Sequence, residues 1–103
     1  MNQDVIYDVY LMPGMAANPK IFEFIKLPSN FKVHHLEWMM PIKNELMSEY
    51  ALRISRLIKG NNIVLIGVSF GGIIVQEISK IIKCKKVIII SSVKSNKELP
   101  LMM

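Results

Sequence analysis

Short apolar segments recur along the chain, and their spacing predicts four β-strands. Residues 63–68 are apolar at nearly every position, which is typical of a parallel strand buried on both faces of a sheet. Residues 5–12, 31–38 and 87–90 are rich in β-branched and aromatic residues and also predict strands. Asp8 is unfavourable inside the first strand, so that strand is expected to begin after it or to turn its side chain to solvent.

Helical patterns separate these strands. A loop and a short helix are predicted within residues 15–27, with Asn18 as the N-cap. Ser48 is expected to cap the next helix and Gly60 to end it, and a third helix is expected over residues 70–82. The apolar positions expected to face a core in the last two helices are Tyr50, Ala51, Ile54, Leu57, Ile58, Ile74, Ile78 and Ile81.

The alternation of strands and helices over short connections favours one fold class. Such connections are right-handed crossovers, and they produce a parallel sheet with helices on both faces. The sequence therefore predicts an α/β fold, a three-layer sandwich with a mainly parallel sheet of about four strands. The 103 residues are expected to form a single domain, in which residues 93–103 are a tail without a further element.

The charge balance is basic, with thirteen Lys and Arg against eight Asp and Glu and a formal net charge of +5. One lysine cluster, at residues 80–86, lies where the third helix is expected to end, and cations there offset the negative end of the helix dipole. No aromatic residue is interleaved with it, so no nucleic-acid partner is expected. The mean hydropathy of +0.34 is high for a small domain and predicts apolar surface left for a partner or for further chain.

Cysteine usage and terminal composition bear on location. Cys84 is the single cysteine, which excludes an internal disulfide, fits a reducing compartment and leaves no basis for a metal site. The N-terminal residues lack the basic and apolar regions of a signal peptide. The longest apolar stretch, residues 63–75, is shorter than the roughly 20 residues that a spanning helix needs. A cytoplasmic protein without a membrane span is expected.

The most informative stretch runs from Gly67 to Gly72. The spacing Gly-x-Ser-x-Gly, between a buried strand and a helix, is the nucleophile-elbow pattern. In this pattern a strained turn exposes a serine hydroxyl at the end of a sheet. Ser69 is therefore the candidate catalytic nucleophile, and Gly67, Gly71 and Gly72 are the glycines of the elbow.

Attack by a serine on a carbonyl creates an oxyanion, which needs hydrogen-bond donors that are already in place. The backbone N–H of Phe70 is one expected donor, because it follows the serine and lies at the start of a helix. The backbone N–H of Met15, in the loop after the first strand, is the other expected donor. Together they are the predicted oxyanion hole.

Phosphate-binding and dinucleotide-binding motifs are excluded at this position. A dinucleotide fingerprint needs a glycine where Ser69 stands, and a P-loop ends in Gly-Lys-Ser/Thr, which the chain lacks. No cofactor is expected, and the partner implied by an activated serine is a small-molecule substrate.

Residues 63–79, with Gly-Val-Ser-Phe-Gly-Gly at their centre, resemble the nucleophile elbow of the α/β-hydrolase family. The order of predicted elements over residues 5–92 is similar to the family's order as well. The resemblance implies that the strands lie with the residue 31–38 strand at one side, then the first strand, the elbow strand and the last strand. It implies a serine hydrolase that acts on a carboxylic ester or thioester through an acyl-serine intermediate.

Triad partners in this family follow the serine in the order acid and then histidine. No histidine follows Ser69 here, and the only acidic residues after it are Glu77 and Glu98. The chain is therefore expected to be the N-terminal half of such an enzyme, with the acid and the histidine in a C-terminal part beyond it. His34 and His35 precede the elbow inside a predicted strand and are interpreted as packing or surface residues.

Two alternatives stay open from the sequence. Trp38, Met39 and Met40 follow a strand and are candidates for an apolar acyl pocket, although a loop that covers the core explains them equally well. The chain as a whole is alternatively a non-catalytic, hydrolase-like module. Such a module would self-associate or bind a partner chain through its open sheet edge, the strand at residues 87–90.

Overall fold

The computed structural model describes residues 4–14 and 26–90. The helix predicted within residues 15–27 falls almost entirely outside these ranges, and the tail at residues 93–103 lies outside them as well. The elements are β1 (Tyr7–Met12), β2 (Phe31–His35), α1 (Met47–Ser55), β3 (Ile63–Val68), α2 (Phe70–Ser79) and β4 (Lys86–Ile90).

The four strands form one sheet in the order β2-β1-β3-β4, and every neighbouring pair is parallel. Asp8 stays inside β1, where it pairs in register with Lys32 of β2 and Ile63 of β3. The α/β class, the parallel sheet of four strands and the strand order are therefore confirmed. The sheet places β3, which is buried at every position, between two neighbours.

Both described helices pack on the same face of the sheet. Their buried side chains form one cluster with residues of β1 and β3, and they contact each other across it. The helical residues in this cluster are Tyr50, Ala51, Ile54, Ile74, Val75 and Ile78. Two positions predicted to face the core do not, since Leu57 is 53% exposed and Ile81 is 41% exposed. Each lies just beyond the end of its helix, where the helical period no longer sets the direction of a side chain.

The opposite face of the sheet is buried too. Its side chains from β1 and β3 are at most 6% exposed, and Leu27 and Phe31 pack against them. They are Tyr7, Val9, Leu11, Val64, Ile66 and Val68. The helix expected on this face, and with it the third layer of the predicted sandwich, lies outside the described residues.

The start of α1 differs from the prediction. The helix begins at Met47, so Ser48 is its second residue and not its cap. The Glu49 carboxylate accepts the N–H of Leu46 at 2.8 Å. This bond satisfies a backbone donor that precedes Ser48, whereas a Ser48 cap would satisfy an N–H that follows it. The helix also ends at Ser55, well before Gly60, which adopts φ +132° in the loop that leads to β3.

Two other boundaries are shorter than predicted. Strand β2 ends at His35, and one further ladder bond runs from the Leu36 N–H to the Leu11 carbonyl. Helix α2 ends at Ser79, and residues 80–82 continue as a turn whose N–H groups bond back to Glu77 and Ile78. In the described ranges no helix combines the length and apolar character needed to cross a membrane.

Candidate active site

Ser69 forms the junction between β3 and α2, and its backbone conformation is unusual. Its φ of 57° and ψ of −123° lie in a backbone region that residues other than glycine rarely adopt. Such a conformation costs on the order of 1–3 kcal/mol and persists only where the surrounding structure imposes it. The turn therefore stores strain at the residue that the sequence singles out as the nucleophile.

Backbone hydrogen bonds hold this turn from both sides. The Ser69 N–H donates to the carbonyl of Ile90, the last residue of β4, at 2.9 Å. The Ser69 carbonyl in turn accepts the N–H of Gly72 at 2.9 Å, which tightens the first turn of α2. Because β3 lies between β1 and β4, Ser69 projects from the carboxyl end of a central strand, where ligands bind in open α/β sheets.

The three predicted elbow glycines each occupy a position with no room for a side chain. A Cβ on Gly67 would come within 2.7 Å of the Gly72 Cα, and a Cβ on Gly71 would come within 2.5 Å of the Pro13 carbonyl oxygen. A Cβ on Gly72 would come within 2.7 Å of the Ile89 Cγ2. The glycines thus let the start of α2 lie close to three strands. These are β3, β4 and the C-terminal end of β1.

The predicted oxyanion donors fall on two segments. Phe70 is the first residue of the ten-residue helix α2, so its N–H has no intrahelical acceptor and lies at the positive end of the helix dipole. Pro13 and Gly14, which follow β1, are buried, and the contact between Gly71 and Pro13 brings this loop against the helix start. Met15, the second predicted donor, lies outside the described residues.

Trp38 connects the loop after β1 to the elbow helix. Its indole Nε1 donates to the Pro13 carbonyl at 3.0 Å, and its ring centroid lies 5.7 Å from that of Phe70 and 5.9 Å from that of Tyr50. The sequence identified Trp38 only as a candidate pocket residue. Its polar contact was missed because the hydrogen-bond partner is 25 residues away along the chain.

An apolar cavity of about 320 Å³ opens beside Phe70. Trp38 and Met39 line it, as the sequence suggested, whereas Met40 is 84% exposed and does not. The remaining lining residues come from the loop before α1 and from the two helices: Pro41, Glu45, Leu46, Met47, Tyr50, Phe70 and Ile74. The cavity therefore lies along the first turn of the helix that begins directly after Ser69.

Arg53 of α1 holds the outer wall of this cavity. Its guanidinium donates to the Glu45 carboxylate through Nε at 2.6 Å and Nη2 at 2.9 Å, and Nη2 also donates to the Met40 carbonyl at 3.0 Å. The hydrogen bond from Arg53, reinforced by the Ile42 N–H, holds the pKa of Glu45 below its ordinary value and outweighs the opposing effect of desolvation. The same pairing raises the pKa of Arg53.

The two histidines lie away from Ser69. His34 pairs in register with Tyr10 of β1, and Tyr10 pairs with Leu65 of β3. Leu65 precedes Ser69 by four residues. His34 therefore lies two strands away from Ser69 across the sheet and four residues before it along the strand direction. At about 4.8 Å per strand and 3.3 Å per residue, their Cα atoms are roughly 16 Å apart. His34 Nε2 pairs with Asp8 at 2.9 Å and its ring stacks on Tyr10, while His35 is exposed. The interpretation of both as packing or surface residues is confirmed.

The described residues do not form a cluster that could hold a metal ion. Across residues 4–14 and 26–90, no three His, Cys, Asp or Glu side chains come together as a metal site requires. Cys84 is partly buried near the start of β4, and burial raises the pKa of its thiol. Comparison of the chain with known protein families, with curated proteins and with solved structures found no match in any of the three.

Proposed function

We propose that Ser69 is the nucleophile of a serine hydrolase of the α/β-hydrolase type, which acts on a carboxylic ester or thioester. The observation that carries this proposal is the backbone of Ser69, which is strained at the carboxyl end of a central buried strand and at the start of a helix. A glycine would occupy that conformation without strain. A serine there is best explained by its hydroxyl, and the resemblance of residues 63–79 to the family's elbow supports the same role.

The reaction follows from the groups around Ser69. The Ser69 Oγ attacks the substrate carbonyl carbon, and its proton passes to a general base as the C–O bond forms. The Phe70 N–H and the loop after β1 stabilise the oxyanion, and collapse of the intermediate expels the alcohol or thiol, which takes up the proton from the base. Water then attacks the acyl-serine by the same route, which releases the carboxylic acid and restores Ser69.

The general base is the group that the elbow does not itself supply. His34, at roughly 16 Å from Ser69 by strand geometry, is too distant to take the proton. The proposal therefore assigns the base and its acidic partner to a histidine and a carboxylate outside these 103 residues. Loss of a triad histidine costs on the order of 10⁶-fold in rate, so the 103-residue chain alone is expected to be nearly inactive in turnover.

Covalent labelling tests the nucleophile without requiring turnover. The 103-residue chain is incubated with a fluorophosphonate probe, with and without imidazole as an external base, and the modified peptide is found by mass spectrometry. We expect slow labelling at Ser69 that imidazole accelerates and that Ser69→Ala abolishes. Ser48→Ala, at an exposed serine in α1, is the matched control and should label normally. Folded protein that never labels at Ser69, with or without imidazole, would contradict the proposal.

One observation favours a second candidate function, that of a non-catalytic interaction module. Among the described strands β4 lies at an edge of the sheet, and three consecutive isoleucines, at residues 88–90, make it an apolar template for pairing with another chain. Analytical ultracentrifugation distinguishes the two candidates. A stable dimer whose Ser69 never reacts supports the module, whereas a monomer that labels at Ser69 supports the hydrolase.

A further inference from the structure

The apolar cavity lies beside the start of α2, and its lining includes the residue that directly follows Ser69. Phe70 is covalently joined to Ser69, and Ile74 lies one helical turn further along the same face; both line the cavity. Trp38 also lines the cavity, and its indole donates to the Pro13 carbonyl in the loop that approaches the elbow. The cavity is therefore the apolar space that adjoins the candidate nucleophile along α2.

The size of the cavity limits what it can hold. Its volume of about 320 Å³ equals that of roughly ten water molecules at about 30 Å³ each. A methylene group occupies nearly the same volume as a water molecule, so the cavity is large enough for an alkyl chain of about eight carbons. A two-carbon acyl group would leave most of the cavity unfilled.

The polar side chains of Glu45 and Tyr50 in the cavity wall are already hydrogen-bonded. Both Glu45 carboxylate oxygens accept bonds from Arg53, and one also accepts the Ile42 N–H at 3.1 Å. The Tyr50 hydroxyl is bonded to the N–H and the carbonyl of Met39. A charged or hydroxylated chain would therefore lose its hydration without gaining a partner, which is unfavourable, whereas a plain alkyl chain loses nothing.

We propose that this cavity binds a neutral, unsubstituted alkyl chain of about eight carbons and so selects medium-chain acyl esters or thioesters for Ser69. The acyl assignment rests on the proposed function of Ser69. The chain enters past Phe70 and ends against Leu46, which precedes α1, and against Met47 and Tyr50 of α1. Each methylene that is buried improves binding about fourfold until the cavity is filled.

Chain-length dependence of labelling tests the proposal. Alkyl fluorophosphonates from ethyl to dodecyl react with the Ser69 Oγ, which forms an O–P bond and releases fluoride while the proton passes to imidazole. The labelling rate should increase with chain length to about eight carbons, by roughly 200-fold between butyl and octyl, and should not increase beyond. Equal rates at all lengths would overturn the cavity assignment and leave the nucleophile assignment intact.

A second measurement reports the cavity without Ser69 chemistry. Trp38 is the single tryptophan of the chain and lines the cavity, so its fluorescence reports what enters. We expect saturable changes in emission with 1-octanol and much weaker binding of 1,8-octanediol, because the polar side chains of the wall are already bonded to other groups. Absence of labelling at every length would refute the proposed function and the acyl assignment together, and the octanol titration would still show whether the cavity takes alkyl chains.

A pair of variants on one helix makes the test local. Met47 is 38% exposed and lines the cavity, whereas Leu52 is 41% exposed on the same helix and does not. Met47→Glu should reduce the ratio of octyl to ethyl labelling and weaken octanol binding at least tenfold, because it places a charge in the wall. It should still fold, since an acidic residue is favourable in a first helical turn. Leu52→Glu should change neither quantity, and equal effects of both variants would overturn the assignment.

Discussion

The indole of Trp38 and the carbonyl of Pro13 form a 3.0 Å hydrogen bond that joins the segment after β2 to the loop after β1. The same Pro13 carbonyl oxygen faces Gly71 in the first turn of α2. One backbone carbonyl thus connects the cavity wall, the expected oxyanion loop and the elbow. The placement of this loop therefore depends on side-chain contacts as well as on the sheet.

Replacing Trp38 by Phe should reveal this connection. The variant loses the hydrogen bond to Pro13 and part of the indole packing, so we expect the free energy of unfolding to fall by about 1–2 kcal/mol and Ser69 labelling to slow. Urea unfolding and the labelling rate are the two measurements. Tyr10→Phe is the matched control, since it removes a hydroxyl that is bonded to the Lys59 backbone at 3.0 Å, away from the elbow. The control should lose stability without slowing labelling, and equal slowing in both would refute a specific role for Trp38.

The strain at Ser69 predicts an inverted order of stability between two substitutions. Ser69→Gly should be more stable than Ser69→Ala by about 1 kcal/mol, because glycine adopts φ 57° without strain and alanine retains the Cβ. At Ser79, the last residue of α2, the order should be the usual one, with Ala above Gly by about 0.5–1 kcal/mol. Urea midpoints of the four variants decide the matter. The same order at both positions would argue against strain at the elbow.

Two neighbouring glycines of α2 should respond differently to alanine. Gly71→Ala directs a methyl group at backbone carbonyls at the end of β1, including that of Pro13, which cannot move without shifting the loop. We expect a loss of about 1–3 kcal/mol in unfolding free energy and slower Ser69 labelling. Gly72→Ala meets the Cγ2 methyl of Ile89, a side-chain atom and not backbone, and gains about 1 kcal/mol of helix propensity, so its loss should be smaller than that of Gly71→Ala. A small effect at Gly71 would contradict the close approach of the loop.

The Glu45–Arg53 pair predicts a loss of stability in acid. The pKa of Glu45 is lower in the folded chain than its ordinary value of about 4.3, so its contribution is fully present above that value. The contribution is lost as the pH falls through the lower, folded pKa. Glu45→Gln should therefore flatten the decline of the urea midpoint between pH 5 and pH 3, whereas Glu37→Gln, at an exposed position after β2, should leave it unchanged. Identical profiles for both variants and the unmodified chain would refute the assignment.

Several features of the fold follow from the sequence because they depend on local rules. The uninterrupted apolar run at residues 63–68 predicts a central parallel strand, and the structure has it with the same bounds. The strand order follows from short right-handed connections and from the resemblance to a known topology. The position of Ser69 between a strand and a helix follows from the spacing of Gly67 and Gly71, since only glycine permits so tight a junction.

Helix ends were harder to predict for a physical reason. Ser48 is a good cap by composition, but the Glu49 carboxylate bonds to the Leu46 N–H and starts the helix one residue before it. Leu57 and Ile81 continue the apolar period beyond the last helical turn and are exposed there. Periodicity records which residues are apolar, whereas the end of a helix is decided by which backbone groups find partners.

By itself, the sequence determined the α/β class, the elbow and the identity of the candidate nucleophile, since each is encoded within a few consecutive residues. The tertiary structure alone decided what surrounds Ser69. Trp38 reaches Pro13 across 25 residues, and the Arg53–Glu45 pair closes a cavity beside Phe70. It also placed His34 roughly 16 Å from the nucleophile, across β1. Such contacts depend on how elements pack against one another, and no local pattern specifies that packing.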